Sequence, residues 1–183
     1  MAIGRDGQTN TGLRKKGVKS MMISILGAGA FGTSLAINFS KNKKNVTLWS
    51  YDANELSKIK KHRENKKYLS KISLPQNLLF NSNLDFVLSD SKVAFLCIPA
   101  QETATFFEKH VKKFKNNTIV LCAKGIDNSS LSLQSEIMSR YLPENHKAVL
   151  TGPGFAKEIA LGKPTALTLA CKNKVWTGKH ANV

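Results

Sequence analysis

The sequence has few features of a membrane or zinc protein. Its 183 residues contain no apolar run that approaches the roughly 18 residues needed for a membrane-spanning helix. Cysteine is scarce: Cys97, Cys122 and Cys171 are far apart along the chain, and none lies in a CxxC spacing. Their apolar, strand-like contexts favour buried free thiols in a reducing compartment and no metal site. We therefore expect a cytoplasmic globular protein without a membrane partner.

Acidic residues are also scarce, with 12 Asp and Glu against 28 Lys and Arg, a formal net charge of +16. Such an excess can indicate a nucleic-acid partner. Here the basic residues concentrate in residues 1–20, with five against one acidic residue, and in residues 41–67, with nine against three. Most are lysines mixed with Asn and Ser, without an RNA-binding aromatic signature. The pattern therefore favours a solvated surface and no nucleic-acid partner.

Chain length and local composition predict one domain with an extension at each end. A chain of 183 residues is long enough for one well-packed domain. Residues 1–20 are polar, contain glycine and lack periodicity, which is typical of a disordered extension. Residues 21–171 carry the regular pattern of apolar segments, and we interpret them as the folded domain. Residues 172–183 form an atypical tail.

The clearest motif is a glycine turn between an apolar strand pattern at residues 21–26 and a helical pattern behind it, and it reads GAGAFG. In such a turn Gly27 permits the tight bend, Gly29 lets the backbone approach a pyrophosphate, and Gly32 allows the helix to pack closely on the strand. The spacing GxGxxG alone is a weak signal, but here both flanking elements are present. The motif predicts that a dinucleotide binds with its phosphates facing the first helical turn. We therefore interpret residues 21–171 as the dinucleotide-binding domain.

Apolar strand patterns alternate with helical patterns along the rest of the domain. Further strands are predicted at residues 46–51, 92–98, 118–123, 148–151 and 165–171. This alternation predicts an α/β fold of the Rossmann type, with a doubly wound, mainly parallel sheet and helices on both faces. Ligands in such sheets bind outside the carboxyl ends of the strands.

Two segments between the strands carry weaker predictions. Residues 68–79 are predicted to be irregular, with Pro75 as a breaker. A helix is predicted around Leu131, Leu133, Ile137 and Met138. Asp127, between these segments, is expected to be solvated or to cap a helix.

Two residues at the end of the second predicted strand have alternative interpretations. Asp52 occupies the place of a carboxylate that binds the adenosine ribose hydroxyls, but it is equally suited to cap the helix that starts near Ala53. Tyr51 either flanks the adenine or is simply an exposed aromatic residue. The sequence leaves both pairs of alternatives open.

Lys124 is the residue best placed for chemistry, because it directly follows a buried strand and precedes a glycine. Its ammonium could stabilise a phosphate, a carboxylate or an alkoxide-like oxygen in the ligand crevice. The alternative is a lysine that reaches into solvent. The backbone N–H groups of Gly152-Pro153-Gly154, at another strand end, could bind the same anion as Lys124.

Six motifs follow one another between Met21 and Cys171: GAGAFGTSLA, LWSYD, HRENKKYL with KISLP after it, CIPAQ, CAKGID and TGPGFAKEIALGKPTAL. As a set they resemble the amino-terminal domain of the bacterial-type NAD(P)-dependent glycerol-3-phosphate dehydrogenases. Members of that family interconvert dihydroxyacetone phosphate and sn-glycerol 3-phosphate for phospholipid synthesis. The resemblance implies an oxidoreductase that uses NAD or NADP and acts on a small phosphorylated substrate.

The resemblance also implies roles for individual residues. Substrate contacts fall on Lys124, Gly152 and Gly154, with Lys124 as the catalytic residue that anchors the substrate. Cofactor contacts fall on the glycine loop, on the end of the second strand and on three further positions: Gly27, Gly29, Ala30, Phe31, Gly32, Tyr51, Asp52, Tyr68, Lys124 and Ala156.

The sequence departs from the family pattern in three respects. Gly154 occupies the place of a Ser or Thr, so a hydroxyl expected to touch the substrate is missing. Ser70-Lys71 replace a proline-glycine pair. Full-length relatives continue into an all-helical domain that carries the proton-transferring lysine, and we expect that domain to be absent from this sequence. Without that domain we expect negligible turnover by this chain alone. We also expect exposed apolar surface, which would favour a homo-oligomer.

Two alternatives remain beside the dehydrogenase. Gly154 and the unusual tail favour a non-catalytic nucleotide-binding remnant of a degraded gene, or a regulatory module. Another α/β dehydrogenase of related type is disfavoured by the KGI and GPGFA motifs together. The choice of cofactor also stays open, because Asp52 would repel a 2′-phosphate and favour NAD, whereas nearby lysines could accommodate NADP.

Overall fold

A computed structural model of the chain describes residues 22–42 and 44–171, so the extension at residues 1–20, Met21 and the tail at residues 172–183 lie outside the described residues. The strands are β1 (Met22–Leu26), β2 (Asn45–Trp49), β3 (Glu64–Asn65), β4 (Leu69–Ser73), β5 (Leu79–Phe80), β6 (Val93–Leu96), β7 (Thr118–Leu121), β8 (Lys147–Thr151) and β9 (Thr168–Cys171). The helices are α1 (Ala30–Lys41), α2 (Ala53–His62), α3 (Leu84–Asp90), α4 (Thr103–His110), α5 (Gln134–Tyr141) and α6 (Ala156–Leu161), with 3₁₀ turns at Ala100–Glu102 and Val111–Lys113.

Seven strands form the main sheet, in the order β5-β2-β1-β6-β7-β8-β9. All neighbours in this sheet pair in parallel except β8 and β9, which are antiparallel. The predicted α/β fold of the Rossmann type, with a mainly parallel sheet, is therefore confirmed. The strand order reverses at β1, which opens a crevice between the carboxyl ends of β1 and β6.

Two hydrophobic cores cover the two faces of the sheet. One contains Leu35 and Phe39 of α1 and Ala160 of α6. The other contains side chains of α3, α4 and α5, including Phe107 and Ile137. Since the central strands are buried on both faces, they appear in the sequence as nearly continuous apolar runs rather than as alternating ones.

The prediction that residues 68–79 are irregular was wrong in part: residues 74–78, around Pro75, form neither helix nor strand, but β4 precedes them and β5 follows. β3 and β4 form a small antiparallel hairpin, separate from the main sheet, with a register shift between Glu64 and Asn65. Leu69 and Ile72 of β4 are buried in the core beside α1. The register shift disrupts the period-two pattern in the sequence, so the strand becomes visible only through its tertiary contacts.

Two element boundaries also differ from the predictions. α5 begins only at Gln134, so Leu131 and Leu133 precede it, and the side chain of Leu131 is 81% exposed. Ile137 and Met138 are buried on α5, as predicted. β9 begins at Thr168, three residues later than predicted, because residues 163–167 first cross the end of the sheet without regular structure.

All three cysteines are free, but only Cys122 is buried, whereas Cys97 and Cys171 are half-buried. Cys97 and Cys122 follow the paired residues Leu96 and Leu121 on neighbouring strands. The hydrogen bond that the Cys97 thiol donates to Cys122, together with burial, raises the pKa of Cys97 well above its ordinary value. Among residues 22–42 and 44–171, no cluster of three or more His, Cys, Asp or Glu side chains could hold a metal ion. In the same ranges, no helix has both the length and the apolar character required to cross a membrane.

Candidate functional site

The glycine loop joins β1 to α1 at the carboxyl edge of the sheet. The Gly27 N–H donates to the carbonyl oxygen of Trp49 at 3.0 Å, which ties the loop to the end of β2. Gly27 has φ +121°, and a Cβ placed there would lie 2.4 Å from the carbonyl oxygen of Cys97. A Cβ on Gly32 would lie 2.0 Å from the carbonyl oxygen of Gly27. Both positions therefore require glycine for the loop to close on β1 and β6.

Gly29 has a different environment from the other two glycines. A Cβ added there would meet no atom within 4 Å, so the loop is open on this side. Gly29 is the N-cap of α1, which has neither a side-chain cap nor an acidic residue in its first turn. The unsatisfied N–H groups and the positive end of the helix dipole suit this opening to an anion.

Asn65, at the end of β3, is a residue of the site that the sequence reasoning missed. It is fully buried, and its Nδ2 donates to the carbonyl oxygen of Ala28 at 2.9 Å and to Oγ1 of Thr33 at 2.9 Å. Its Oδ1 accepts a hydrogen bond from the N–H of Tyr68 at 3.3 Å. No local signal distinguishes Asn65 from the other polar residues around it, because both acceptors of its Nδ2 lie more than 30 positions earlier in the chain.

Asp52, at the end of β2, was predicted either to bind the ribose or to cap a helix, and the structure shows the cap directly. Its Oδ1 accepts a hydrogen bond from the N–H of Glu55 at 2.9 Å, so Asp52 caps α2, and the capping interpretation is confirmed. The ribose contact stays a prediction, since a carboxylate has further lone pairs to offer. Tyr51 is 87% exposed and lines a groove of about 1000 Å³ together with Trp49, Pro99 and Phe106.

Lys67 and Tyr68 lie in the hairpin turn. The Nζ of Lys67 is 5.1 Å from the centroid of the Tyr68 ring, and the hydrogen bond between the two side chains raises the pKa of Lys67. Glu55 and Tyr51 raise it further, though less strongly. An exposed cation therefore accompanies the two tyrosines that sequence reasoning assigned to the cofactor.

Lys124 follows β7 and connects the two glycine loops. Its Nζ donates to the carbonyl oxygen of Gly152 at 2.9 Å, and it lies 6.0 Å from the centroid of the Phe31 ring. Ala156, the first residue of α6, packs against the same core as Phe31. The structure thus brings together Lys124, Gly152, Phe31 and Ala156, which are up to 125 positions apart in the sequence.

The glycine loop, the cation beside it and the second glycine loop can be compared with known proteins. Residues 22–177 match the family described as NAD-dependent glycerol-3-phosphate dehydrogenase N-terminus. The chain belongs to this family. The resemblance deduced from the six motifs is therefore confirmed.

Individual relatives of this family agree with the match. The glycerol-3-phosphate dehydrogenase (NAD(P)+) of Ehrlichia canis is 40% identical over 159 residues, which are 85% of this chain and 48% of that protein. The Ehrlichia ruminantium (strain Welgevonden) enzyme is 43% identical over 158 residues, 84% of this chain and 48% of that protein. A crystal structure of the Coxiella burnetii glycerol-3-phosphate dehydrogenase matches with a TM-score of 0.81 at 27% identity, over 87% of this chain and 49% of that one. The chain spans about half the length of the curated relatives it matches.

In this member of the dehydrogenase family, the second glycine loop packs tightly under residues 165–167. Gly152 has φ +144°, and a Cβ there would lie 2.7 Å from the carbonyl oxygen of Ala166. A Cβ on Gly154 would lie 2.6 Å from Cγ2 of Thr165 and 3.1 Å from Cδ1 of Ile159. The methyl group of Thr165 therefore occupies the space that a side chain at position 154 would need.

We expect Gly154→Ala to lower the free energy of unfolding by about 1 kcal/mol, because the new methyl group must displace Thr165. In a Thr165→Ala background the same change should cost less than about 0.5 kcal/mol. Urea denaturation of the four proteins of this double-mutant cycle measures the coupling. Strictly additive costs would show that Thr165 does not restrict position 154.

Asp127 is buried rather than solvated, and that expectation was wrong in part. Its Oδ2 accepts hydrogen bonds from the hydroxyls of Ser129 and Ser130 and from the N–H of Ser130, at 2.6 to 2.7 Å. These bonds lower the pKa of Asp127 to about 2. The carboxylate orders the loop that directly follows Lys124.

Because the folded-state pKa lies below the ordinary value, the Asp127 carboxylate stabilises the fold above about pH 4 and loses that contribution as the pH falls toward 2. We expect the difference in Tm between the wild type and Asp127→Asn to be largest near pH 6 and to shrink steadily below about pH 4. Thermal unfolding across this pH range measures it. A Tm difference that does not change with pH would contradict the assignment.

Proposed function

We propose that residues 21–171 form the cofactor-binding part of a glycerol-3-phosphate dehydrogenase that uses NAD or NADP. The observation that carries the proposal is the position of Lys124. Its ammonium lies 2.9 Å from the carbonyl oxygen of Gly152 and beside the ring of Phe31 in the first glycine loop. One cation therefore stands between a dinucleotide loop and a second glycine loop, where a reaction of two ligands needs a positive charge.

The cofactor would lie across the carboxyl edge of β1, β2 and β6. The N–H groups of Gly29, Ala30 and Phe31 would face the pyrophosphate, since α1 has no cap of its own. The groove beside Trp49 and Tyr51 would hold the adenosine, with Asp52 on the ribose.

The charges around the adenosine end support both forms of the cofactor. Asp52 and Glu55 disfavour a 2′-phosphate, whereas Lys67, which is held beside Tyr68, can neutralise one. Tyr68 would contact the cofactor from the hairpin, and Ala156 would contact it from the start of α6. We therefore propose NAD or NADP as the cofactor.

The substrate would be a small phosphorylated three-carbon compound, dihydroxyacetone phosphate or sn-glycerol 3-phosphate. Of the three ammonium protons of Lys124, one is donated to Gly152, so two remain for an anion or a polarised carbonyl oxygen. Lys124 would anchor the substrate and stabilise negative charge as it develops at the oxygen on C2. The bound cofactor supplies the hydride chemistry.

We further propose a cytoplasmic enzyme of phospholipid synthesis, with no nucleic-acid partner. Self-association into a homo-oligomer would cover exposed apolar side chains such as Leu131 and Phe155. A second candidate is a nucleotide-binding protein without catalysis. Gly154 favours it, because no hydroxyl is available there to contact a substrate.

A chimaera separates the two candidates. In it, residues 22–171 would replace the matching half of the Ehrlichia canis relative, and NADH oxidation would be followed with dihydroxyacetone phosphate. The dehydrogenase proposal expects turnover that Lys124→Ala abolishes. A chimaera that binds NADH but does not turn over would favour the non-catalytic candidate. Turnover that survives Lys124→Ala would refute the role given to Lys124.

A further inference from the structure

The amide side chain of Asn65 connects the hairpin to the glycine loop. Asn65 is fully buried, and both of its known acceptors belong to the loop region: the carbonyl oxygen of Ala28 and Oγ1 of Thr33, each at 2.9 Å from Nδ2. The N–H of Tyr68 donates to its Oδ1 at 3.3 Å. Both donor hydrogens and one acceptor of the amide are thus engaged, so the side chain has one fixed orientation.

The bond to Ala28 determines which way one peptide group points. The described residues contain no cis peptide bond, so the carbonyl of Ala28 and the N–H of Gly29 point in opposite directions. Since the carbonyl is held inward by Asn65, the N–H of Gly29 is directed outward. The loop is also open at Gly29, where an added Cβ would meet nothing within 4 Å.

Within residues 22–42 and 44–171, no further backbone hydrogen bond is made by the Ala28 carbonyl or the Gly29 N–H. The carbonyl oxygen of Gly29 accepts the first hydrogen bond of α1, from the N–H of Thr33 at 2.9 Å, but this bond constrains the next peptide group. A loop with this much free space on one side can rotate a peptide at low cost, because glycine adopts both signs of φ. The orientation of the Ala28–Gly29 peptide therefore depends on Asn65.

We propose that Asn65 is a positioning residue for cofactor binding: it holds the Ala28–Gly29 peptide so that the Gly29 N–H faces the pyrophosphate. This inference rests on the proposed function, because it gives the N–H a phosphate to bind. Without Asn65 the peptide samples both orientations, and the cofactor must select one of them. The cost of selecting one orientation falls on affinity, in addition to the stability lost with the buried hydrogen bonds.

The chain offers a matched control in Asn117. This asparagine is also buried, and its Nδ2 donates to the carbonyl oxygens of Leu88 and Ser91, each at 2.8 Å. It precedes β7, at the opposite edge of the sheet from the glycine loop. Asn65→Ala and Asn117→Ala therefore each remove one buried side-chain amide. Only Asn65→Ala also removes a hydrogen bond to the glycine loop.

The experiment compares NADH affinity and Tm for the wild type and both variants, all as full chains. We expect both variants to lower Tm. Asn65→Ala should weaken NADH binding about tenfold or more, the worth of one hydrogen bond to a charged group, while Asn117→Ala changes it less than about threefold. If Asn65→Ala does not fold, Asn65→Leu, which has the same branching at Cγ but no hydrogen-bonding atoms, takes its place. Equal affinity losses in the two variants would reduce Asn65 to a structural role and overturn the inference.

A nuclear magnetic resonance measurement follows the peptide itself. In the ligand-free wild type and in Asn117→Ala, the amide resonance of Gly29 should be single and sharp, whereas in Asn65→Ala it should broaden or split. An unchanged Gly29 resonance in Asn65→Ala would overturn the inference even if NADH binds. If the folded wild type binds neither NADH nor NADPH, the proposed function fails and this role for Asn65 fails with it. If the wild type binds the cofactor normally and the two variants lose affinity equally, only the role of Asn65 is refuted.

Discussion

Gly32→Ala is expected to destabilise the chain by about 3 kcal/mol and to abolish NADH binding, because its new Cβ would stand 2.0 Å from the carbonyl oxygen of Gly27. This contact is with backbone, which cannot rotate away as a side chain can. Either α1 shifts along β1 or the loop opens. Both outcomes separate the first turn of α1 from the phosphates that it would bind.

Gly29→Ala is the matched control, since the same methyl group would enter open space. We expect it to change the free energy of unfolding by less than about 1 kcal/mol, the cost of replacing glycine by alanine at an N-cap. NADH affinity should nevertheless fall at least tenfold, because the methyl group occupies the approach of the pyrophosphate. Urea denaturation and NADH titration of the three proteins separate packing from binding. A Gly32→Ala protein as stable as the wild type would contradict the packing account of the loop.

Lys124→Met is expected to leave stability nearly unchanged and to weaken binding of NADH roughly tenfold to hundredfold. Lys124 is exposed, so its hydrogen bond to Gly152 contributes little to folding. A charge-assisted hydrogen bond to a ligand is worth about 1.5–3 kcal/mol, which corresponds to this loss of affinity. The effect should be smaller at high salt, where the charge is screened.

Lys115→Met makes the same change of charge at the opposite edge of the sheet. Lys115 is exposed and precedes β7, whereas Lys124 follows it. NADH titrations of both variants at low and high salt distinguish a local contact from the net charge of +16. If the two variants weaken binding equally, Lys124 acts only through the overall charge, and its assignment to the site is wrong.

The sequence predicted those parts of the fold in which local pattern and tertiary structure agree. The glycine turn joins a buried strand to a helix, so its three glycines, the apolar run before it and the helical pattern behind it indicate the same unit. β6 and β7 are buried on both faces and appear as apolar runs. Because parallel strands end at one edge, the sequence could also place Lys124 and Gly152 near each other before any distance was known.

The sequence could not predict features that depend on distant partners. The hairpin of β3 and β4 has no clear period of two, and Leu69 is buried only because α1 and α6 cover it. Asn65 has no local signal, since its partners belong to the glycine loop. Asp127 looked like a surface carboxylate because its partners Ser129 and Ser130 are ordinary loop residues until the turn closes around it.

The central claim is that the glycine loop, with Lys124 beside it, binds a nicotinamide dinucleotide. The most direct test is a fluorescence titration of the purified full chain with NADH and with NADPH, with folding checked by circular dichroism in the same buffer. We expect saturable binding of at least one of them that is at least tenfold weaker in Gly29→Ala and in Lys124→Met, but not in Lys115→Met. A folded chain that binds neither dinucleotide, or binding that is unchanged in all three variants, would contradict the claim.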